Sequence, residues 1–504
     1  ISYTGVLNLL LNIDTTKGAG PDGIPNMFLK RYAEWNARYL SIIFVKSLET
    51  GIVPTVWKIG NAIPVFKSGN KQLISNYRPI SLTCTCCKLL EHIIHKHVLQ
   101  NLTNNNLLSR NQHGFRSGFS TTTQLIEFTH DIASALNTRG QVDAIFIDYS
   151  KAFDVVCHKK LLTRLRSIIN DDKIIGWIAD WLRLRSQFVT FEHAQSSSCA
   201  VTSGVPQGSV LGPLLFIIYI NDVTQIIKDT PVKLRLYADD CVLYTSVNNA
   251  HDRDVLNKVF SSFCGWSAMW QMNINYPKTV QSTFTNKKQP LKFSYSYNGH
   301  YLNSVNTFKY FGVTYTQNLK WHHHIETICA RALRKLGYIK RTLKHSTKDC
   351  KLTAYKSLVR PLLEYASAVW SPYTALDINM LEGIQKKAIR FIFGRYDRNF
   401  SPSSHACSLS LEPLAFRRTL DRITLLHKIV HGRSCIEAPI TFCDSARRAT
   451  RRSHPLKIVP FQPFVNCFKH SFFPAVVEIW NNLDGSLREK PIELFLKELP
   501  DHIL

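Results

Sequence analysis

Val232, Leu234 and Leu236 alternate with Lys233, Arg235 and Tyr237, and Cys241 to Tyr244 can return as a partner strand. Such alternation predicts a β-hairpin with Tyr237-Ala238-Asp239-Asp240 at its tip. Ile145-Phe146-Ile147 is a short apolar, strand-like run that ends on Asp148. Ser203-Gly204-Val205-Pro206-Gln207-Gly208-Ser209 reads as a Gly/Pro loop feeding a buried helix over the apolar run from Val210 to Ile220. Val255, Leu256, Val259, Phe260, Phe263 and Trp266 recur at helical spacing, ahead of Asn273-Ile274-Asn275-Tyr276-Pro277-Lys278-Thr279. Ile325, Ile328, Ala332, Leu333, Leu336 and Ile339 predict a helix over about 323 to 343, with Arg331, Arg334, Lys335, Lys340 and Arg341 on its other sides. Ile384, Ala388, Ile389 and Ile392 suggest a further basic amphipathic helix, and Leu411 to Val430 another. Residues 1 to about 50 look like a helical lead-in, and Gly51 to Leu99 like short strands and loops. Internal repeats and low-complexity segments are not evident.

Composition narrows the class. The 504 residues, 45% hydrophobic and 19% charged, suit a globular protein with about three domains. Lys and Arg number 62 against 36 Asp and Glu, a net charge of +26. A surplus that large favours a polyanionic partner, with a ribosome-like or membrane-surface protein as alternatives. Thirteen cysteines, an odd count without paired CxxC spacing, point to reduced thiols in an intracellular protein. Cys84, Cys86 and Cys87 lie near His92 and His95 in a spacing that fits no zinc pattern, and His322-His323-His324 reads as a polar helix start. Leu211 to Ile220 is half a membrane span, so no membrane partner is expected. The chain begins at Ile1 without a methionine or a signal peptide, as a fragment of a longer product would.

The acids carry the candidate chemistry. Asp239 and Asp240 crowded into a turn either form a divalent-metal platform, since Mg²⁺ takes one or two carboxylates plus substrate phosphates, or a solvated turn. Asp148 is either a carboxylate delivered to a surface site by a buried strand or the cap of a following helix.

In this order the segments resemble the palm of a reverse transcriptase of the non-LTR, jockey-like retrotransposons. The resemblance extends upstream through Lys17-Gly18-Ala19-Gly20-Pro21-Asp22-Gly23-Ile24-Pro25, Asn76-Tyr77-Arg78-Pro79-Ile80-Ser81-Leu82 and Gln112-His113-Gly114-Phe115-Arg116 to Gln124-Leu125. Downstream it includes Phe308-Lys309-Tyr310-Phe311-Gly312-Val313 and Leu319-Lys320-Trp321, so it covers about residues 15 to 340. It implies an α+β, right-hand polymerase fold of fingers, palm and thumb with a mostly helical C-terminal extension. The corresponding divisions are a lead-in over 1–50, a reverse transcriptase domain over 51–320, thumb-like basic helices over 321–400 and an extension over 401–504.

What the resemblance implies for the site is specific. Asp148 and Asp239 would bridge two Mg²⁺ ions, with Mn²⁺ as a substitute, assisted by the Tyr149 carbonyl and more weakly by Asp240. Arg78 would clamp the incoming deoxynucleoside triphosphate. Gln207 and Gly208 would approach the nascent pair, Tyr237 would pack under the primer end, and Lys278 would protonate the leaving pyrophosphate. Phe153 would be the gate that excludes a 2′-hydroxyl, with a core aromatic as its alternative. Asp154 matches no metal position and reads as a structural cap. Phe308 to Val313 resembles a primer grip. The expected partners are an RNA template and a DNA primer. The expected setting is the nucleus, after cytoplasmic ribonucleoprotein assembly. An RNA-dependent RNA polymerase and a decayed, RNA-binding remnant are the rival readings. Arg447-Arg448-Ala449-Thr450-Arg451-Arg452 could grip RNA or act as an import signal, or be a solvated loop. No ribonuclease H or endonuclease set is found, and the oligomeric state is not legible.

Overall fold

A computed structural model describes residues 1–192, 194–443 and 454–503; the basic cluster at Arg447 to Arg452 lies outside the described residues. The chain divides into two discontinuous units. The first comprises Ile1–Phe115, Ile147–Cys241 and Lys258–Thr279, and the second Arg116–Phe146, Val242–Asn257 and Val280–Leu504.

The first unit opens with helices Tyr3–Leu11, Asn26–Arg31 and Ala33–Thr50. Its sheet pairs Ile59–Phe66 antiparallel with Tyr77–Leu82 and parallel with Arg185–Phe191, which in turn pairs with Cys199–Val201. The stretch expected to continue as strands and loops to Leu99 instead becomes a helix, Thr85–Asn104. Cys86, Leu90, Ile94, Val98 and Leu102 are buried at a spacing of four, so a single face of that helix supplies the core. Helix Leu211–Ile220 is where the apolar run predicts it, and it is apolar all round because it is buried all round. No helix among the described residues is long and apolar enough to cross a membrane.

In the second unit the strands run in the order Asn303–Ser304, Val280–Thr285, Gln141–Ile147, Asp240–Ser246. The chain changes unit near the ends of the last two, after Phe146 and after Cys241. Phe128, on helix Thr121–Asn137, is the hub of this core, with the rings of Phe146, Tyr244, Phe284, Tyr310 and Tyr315 all within 6.0 Å. Thr307–Tyr310 and Val313–Thr316 form a two-stranded ribbon whose Phe308 stacks on Phe146 at 4.0 Å. The basic helix expected near 323 to 343 spans His322–Thr342, and helices Ala375–Phe393 and Leu414–Val430 follow. Arg331, Arg334, Lys335, Tyr338 and Leu362 line a cavity of about 350 Å³ there.

Candidate active site

The expected hairpin tip is real and tight. Strand Lys233–Tyr237 ends, Ala238 takes a left-handed φ of 55°, and Asp240 already begins the next strand. An alanine tolerates that conformation poorly, so the turn needs external support. Gln112 supplies it: its side-chain oxygen accepts from the backbone N–H of Ala238 at 2.9 Å and of Gly114 at 2.8 Å. Gly114 has no room for a side chain, because a Cβ there would lie 2.5 Å from the Ala238 nitrogen. His113 N and Leu236 N extend this support by donating to Leu236 O and Asn111 O.

Asp148 follows the last residue of strand Gln141–Ile147. Its backbone N–H donates to Thr279 Oγ1 at 3.3 Å and its carbonyl accepts from Asn275 N at 2.8 Å, while Ser150 N donates to Asn273 O. These ties fix the segment but give the Tyr149 carbonyl no backbone donor among the described residues. The Tyr149 ring is buried, with its hydroxyl 2.7 Å from Ser267 Oγ.

The carboxyls act on one another through space. Burial and then the negative charge of Asp148 raise the pKa of Asp239. Asp240 is exposed along much of its length, but desolvation of the carboxyl itself, with repulsion from Asp239 and Asp148, pushes it up to about 6. Two cations oppose this, Arg78 and Lys67. Both sit on the hairpin of Ile59–Phe66 with Tyr77–Leu82, where Val65 pairs with Arg78 and Lys67 N donates to Asn76 O. Lys67 was missed by the sequence reading; a lysine just past an apolar strand, across a hairpin from the expected Arg78, was the available signal.

Among the described residues no three His, Cys, Asp or Glu side chains form a ready metal cluster. Two carboxylates and a backbone carbonyl nevertheless make an oxygen donor set of the kind Mg²⁺ uses together with substrate phosphates. The mutual repulsion of the acids is what a cation between them would relieve, so the residues fit a divalent ion.

Phe153 is half-buried, stacked on Phe216 at 4.2 Å and 18° and edge-on to Phe115 at 6.2 Å. Gln207 sits in a loop whose Gly208 has φ 114°, and a Cβ there would approach the Ser81 carbonyl to 2.6 Å. Glu91, buried and also unforeseen, accepts from Val210 N at 2.7 Å and Leu211 N at 3.2 Å, capping the helix after the loop. Tyr237 closes its strand beside the acids in sequence. Lys278 is exposed in a turn and is not among the cations acting on Asp239 and Asp240. The reading of Asp154 as a cap is corrected: Cys157 is the N-cap of helix His158–Ile168. Asp154 lies one turn too early to satisfy that helix's N–H groups, and its Oδ1 instead accepts from Gln207 Nε2 at 3.1 Å.

Among solved structures, apo telomerase from Candida Tropicalis superposes over 78% of this chain and 66% of that chain, with TM-score 0.43 and 13% identity. Residues 66–315 match the family model for reverse transcriptase (RNA-dependent DNA polymerase). The probable RNA-directed DNA polymerase from transposon BS of Drosophila melanogaster is 27% identical over 77% of this chain and 44% of that protein. The RNA-directed DNA polymerase from mobile element jockey of the same species is 27% identical over 78% of this chain and 44% of its own length. The chain thus spans less than half the length of these relatives. Residues 66–315 thus carry a reverse transcriptase domain, and over most of its length the chain is similar to the RNA-directed DNA polymerases of non-LTR retrotransposons.

Proposed function

We propose that this chain extends a DNA primer along an RNA template, using deoxynucleoside triphosphates and Mg²⁺, in a right-hand arrangement. Fingers and palm occupy 51–320, thumb-like helices 321–400, and 401–504 form an extension. The observation that carries the reading is the convergence of Asp148, Asp239 and Asp240, acids that repel one another and are opposed by Lys67 and Arg78. Asp148 and Asp239, with the Tyr149 carbonyl, would hold the metal, and Asp240 would support them. A bound metal pair would supply a lowered pKa at the primer hydroxyl and charge neutralisation at the triphosphate. Arg78 and Lys67 bind the triphosphate, the guanidinium in bidentate fashion. Phe153, braced by Phe216, lies against the sugar and excludes a 2′-hydroxyl. Gln207 and Gly208 read the nascent pair, Tyr237 supports the primer end, and Lys278 reaches the leaving pyrophosphate through its mobile stem. The basic cavity at Arg331, Arg334 and Lys335 suits a nucleic-acid backbone.

Primer extension on poly(rA) with oligo(dT) tests this. Incorporation of dTTP should require Mg²⁺ or Mn²⁺, and Phe153→Val should admit ribonucleotides while retaining deoxynucleotide activity. A folded protein that incorporates nothing with either metal would overturn the reading. Unchanged sugar selectivity in Phe153→Val would leave Phe153 as a core aromatic.

A further inference from the structure

The loop carrying Gln207 is held by its backbone at several points independent of its side chains. Gly204 N donates to Val156 O and Val205 N to Phe153 O, both at 2.8 Å, and Gln207 O accepts from Ser81 N at 2.7 Å. Gly204 is packed so closely that a Cβ would meet the Asp154 backbone at 2.7 Å. Ser203 Oγ adds a bond to the Asp154 carbonyl. Among the described residues the Gln207 side chain makes one hydrogen bond, from its Nε2 to Asp154 Oδ1 at 3.1 Å. Both residues line a cavity of about 330 Å³, with Ser81, Lys151 and Arg185 elsewhere on its wall.

A primary amide has a donor end and an acceptor end, and rotation about its last bond exchanges them at little cost. An ionised carboxylate only accepts, so it selects the donor end and leaves Oε1 and the second N–H of Gln207 in defined positions. We propose that Asp154 is a positioning residue for nucleotide selection, setting the orientation of the Gln207 amide without touching the nucleotide itself. This rests on the assignment of Gln207 to the nucleotide site. Because the loop backbone is anchored separately, removing the Asp154 carboxyl releases the amide and leaves the loop in place.

The test uses the full chain with an RNA template and a DNA primer ended in a 3′-deoxynucleotide, so that a ternary complex forms without chemistry, and reads the Kd for dTTP. Asp154→Ala should raise that Kd about tenfold, the effect of one charge-assisted hydrogen bond, with an unchanged melting curve. Asp154→Asn retains an acceptor oxygen and should restore affinity to within about threefold. Combined with Gln207→Ala, Asp154→Ala should add no further loss, because the two act through one contact. Full additivity, or an unchanged Kd in Asp154→Ala while Gln207→Ala is impaired, would overturn the positioning role alone. A parent that forms the complex but is indifferent to Gln207→Ala would overturn it together with the Gln207 assignment. A parent that forms no ternary complex would overturn both this inference and the polymerase reading beneath it.

Discussion

Asp143 and Asp148 lie five residues apart on one stretch of chain and have opposite surroundings. Asp143, 1% exposed within the second unit, accepts from Tyr295 Oη at 2.7 Å and from Gln141 Nε2 at 3.1 Å. Gln141 is itself tied to both the N–H and the carbonyl of Leu291, and Gln281 accepts from Tyr295 N. In the first unit, Asp148, Asp239 and Asp240 have no side-chain donor on their carboxyls among the described residues; Asp239 has a backbone donor in its own N–H, and the other groups that act on Asp239 and Asp240 are the neighbouring acids and two cations at a distance. Burial raises the pKa of Asp143 and of Asp239 alike, so the shift does not separate them. Hydrogen-bond accounting does. An acid whose lone pairs are filled by protein donors is structural, whereas acids left facing acids are arranged for a cation from outside.

The contrast breaks most visibly under mutation. Asp239→Asn should lower primer extension by at least about a thousandfold, the scale on which loss of a preorganised electrostatic group is felt, while thermal unfolding holds or rises because repulsion is relieved. A variant as active as the parent, or one that unfolds early, would put Asp239 in the same class as Asp143. The reverse pattern is expected in the second unit. Asp143→Ala should cost about 3 kcal/mol by stranding the Tyr295 hydroxyl and the Gln141 amide, with extension by the remaining folded protein unchanged.

A histidine sharpens the same distinction through pH. His324 is buried, its Nδ1 accepts from Thr314 N at 3.2 Å, and desolvation, with Lys309 and Arg331 adding to it, lowers its pKa to about 4. Its unfolded value is 6.5. Above 6.5 both states are neutral and the stability is fully present. As pH falls towards 4 the unfolded chain binds a proton that the folded one excludes, so stability is lost across that window. The loss should reach about 2 kcal/mol, discounting the screened share from Lys309 and Arg331, and chemical denaturation at pH 7 and pH 4.5 would measure it. His324→Asn should flatten the difference between the two pH values. Smallest is Tyr295→Phe, expected to cost about 1 kcal/mol in the same titration, since Gln141 continues to serve Asp143; a cost as large as that of Asp143→Ala would show that Tyr295 alone sustains the buried acid.

Much of this is legible in the sequence. Alternation at Val232 to Tyr237 located the hairpin, and helical spacing located His322–Thr342 almost to the residue. The spacing of four from Cys86 to Leu102 was also present, but strand-like segments on either side of Pro64 and Pro79 drew the reading past it. Asp154 matches no metal position and so reads as a cap from sequence, whereas its partner in the structure is Gln207, more than fifty residues on. Lys67 and Glu91, and the turn-bracing role of Gln112, are not legible in sequence because each acts on a segment remote in the chain.

The sequence by itself determined the hairpin and helices that carry the candidate residues, because strand alternation, helical spacing and turn chemistry are local and act over a few residues; the roles of those residues rest on the resemblance. It also fixed the net charge of +26, which favours a polyanionic partner and needs no fold. Only the tertiary structure decided which acids are filled and which are left open, which cations oppose them, and what holds Gln207. Those are matters of distance and burial between segments far apart in the chain, and Coulomb and hydrogen-bond energies depend on that distance, on the surrounding dielectric and on donor geometry.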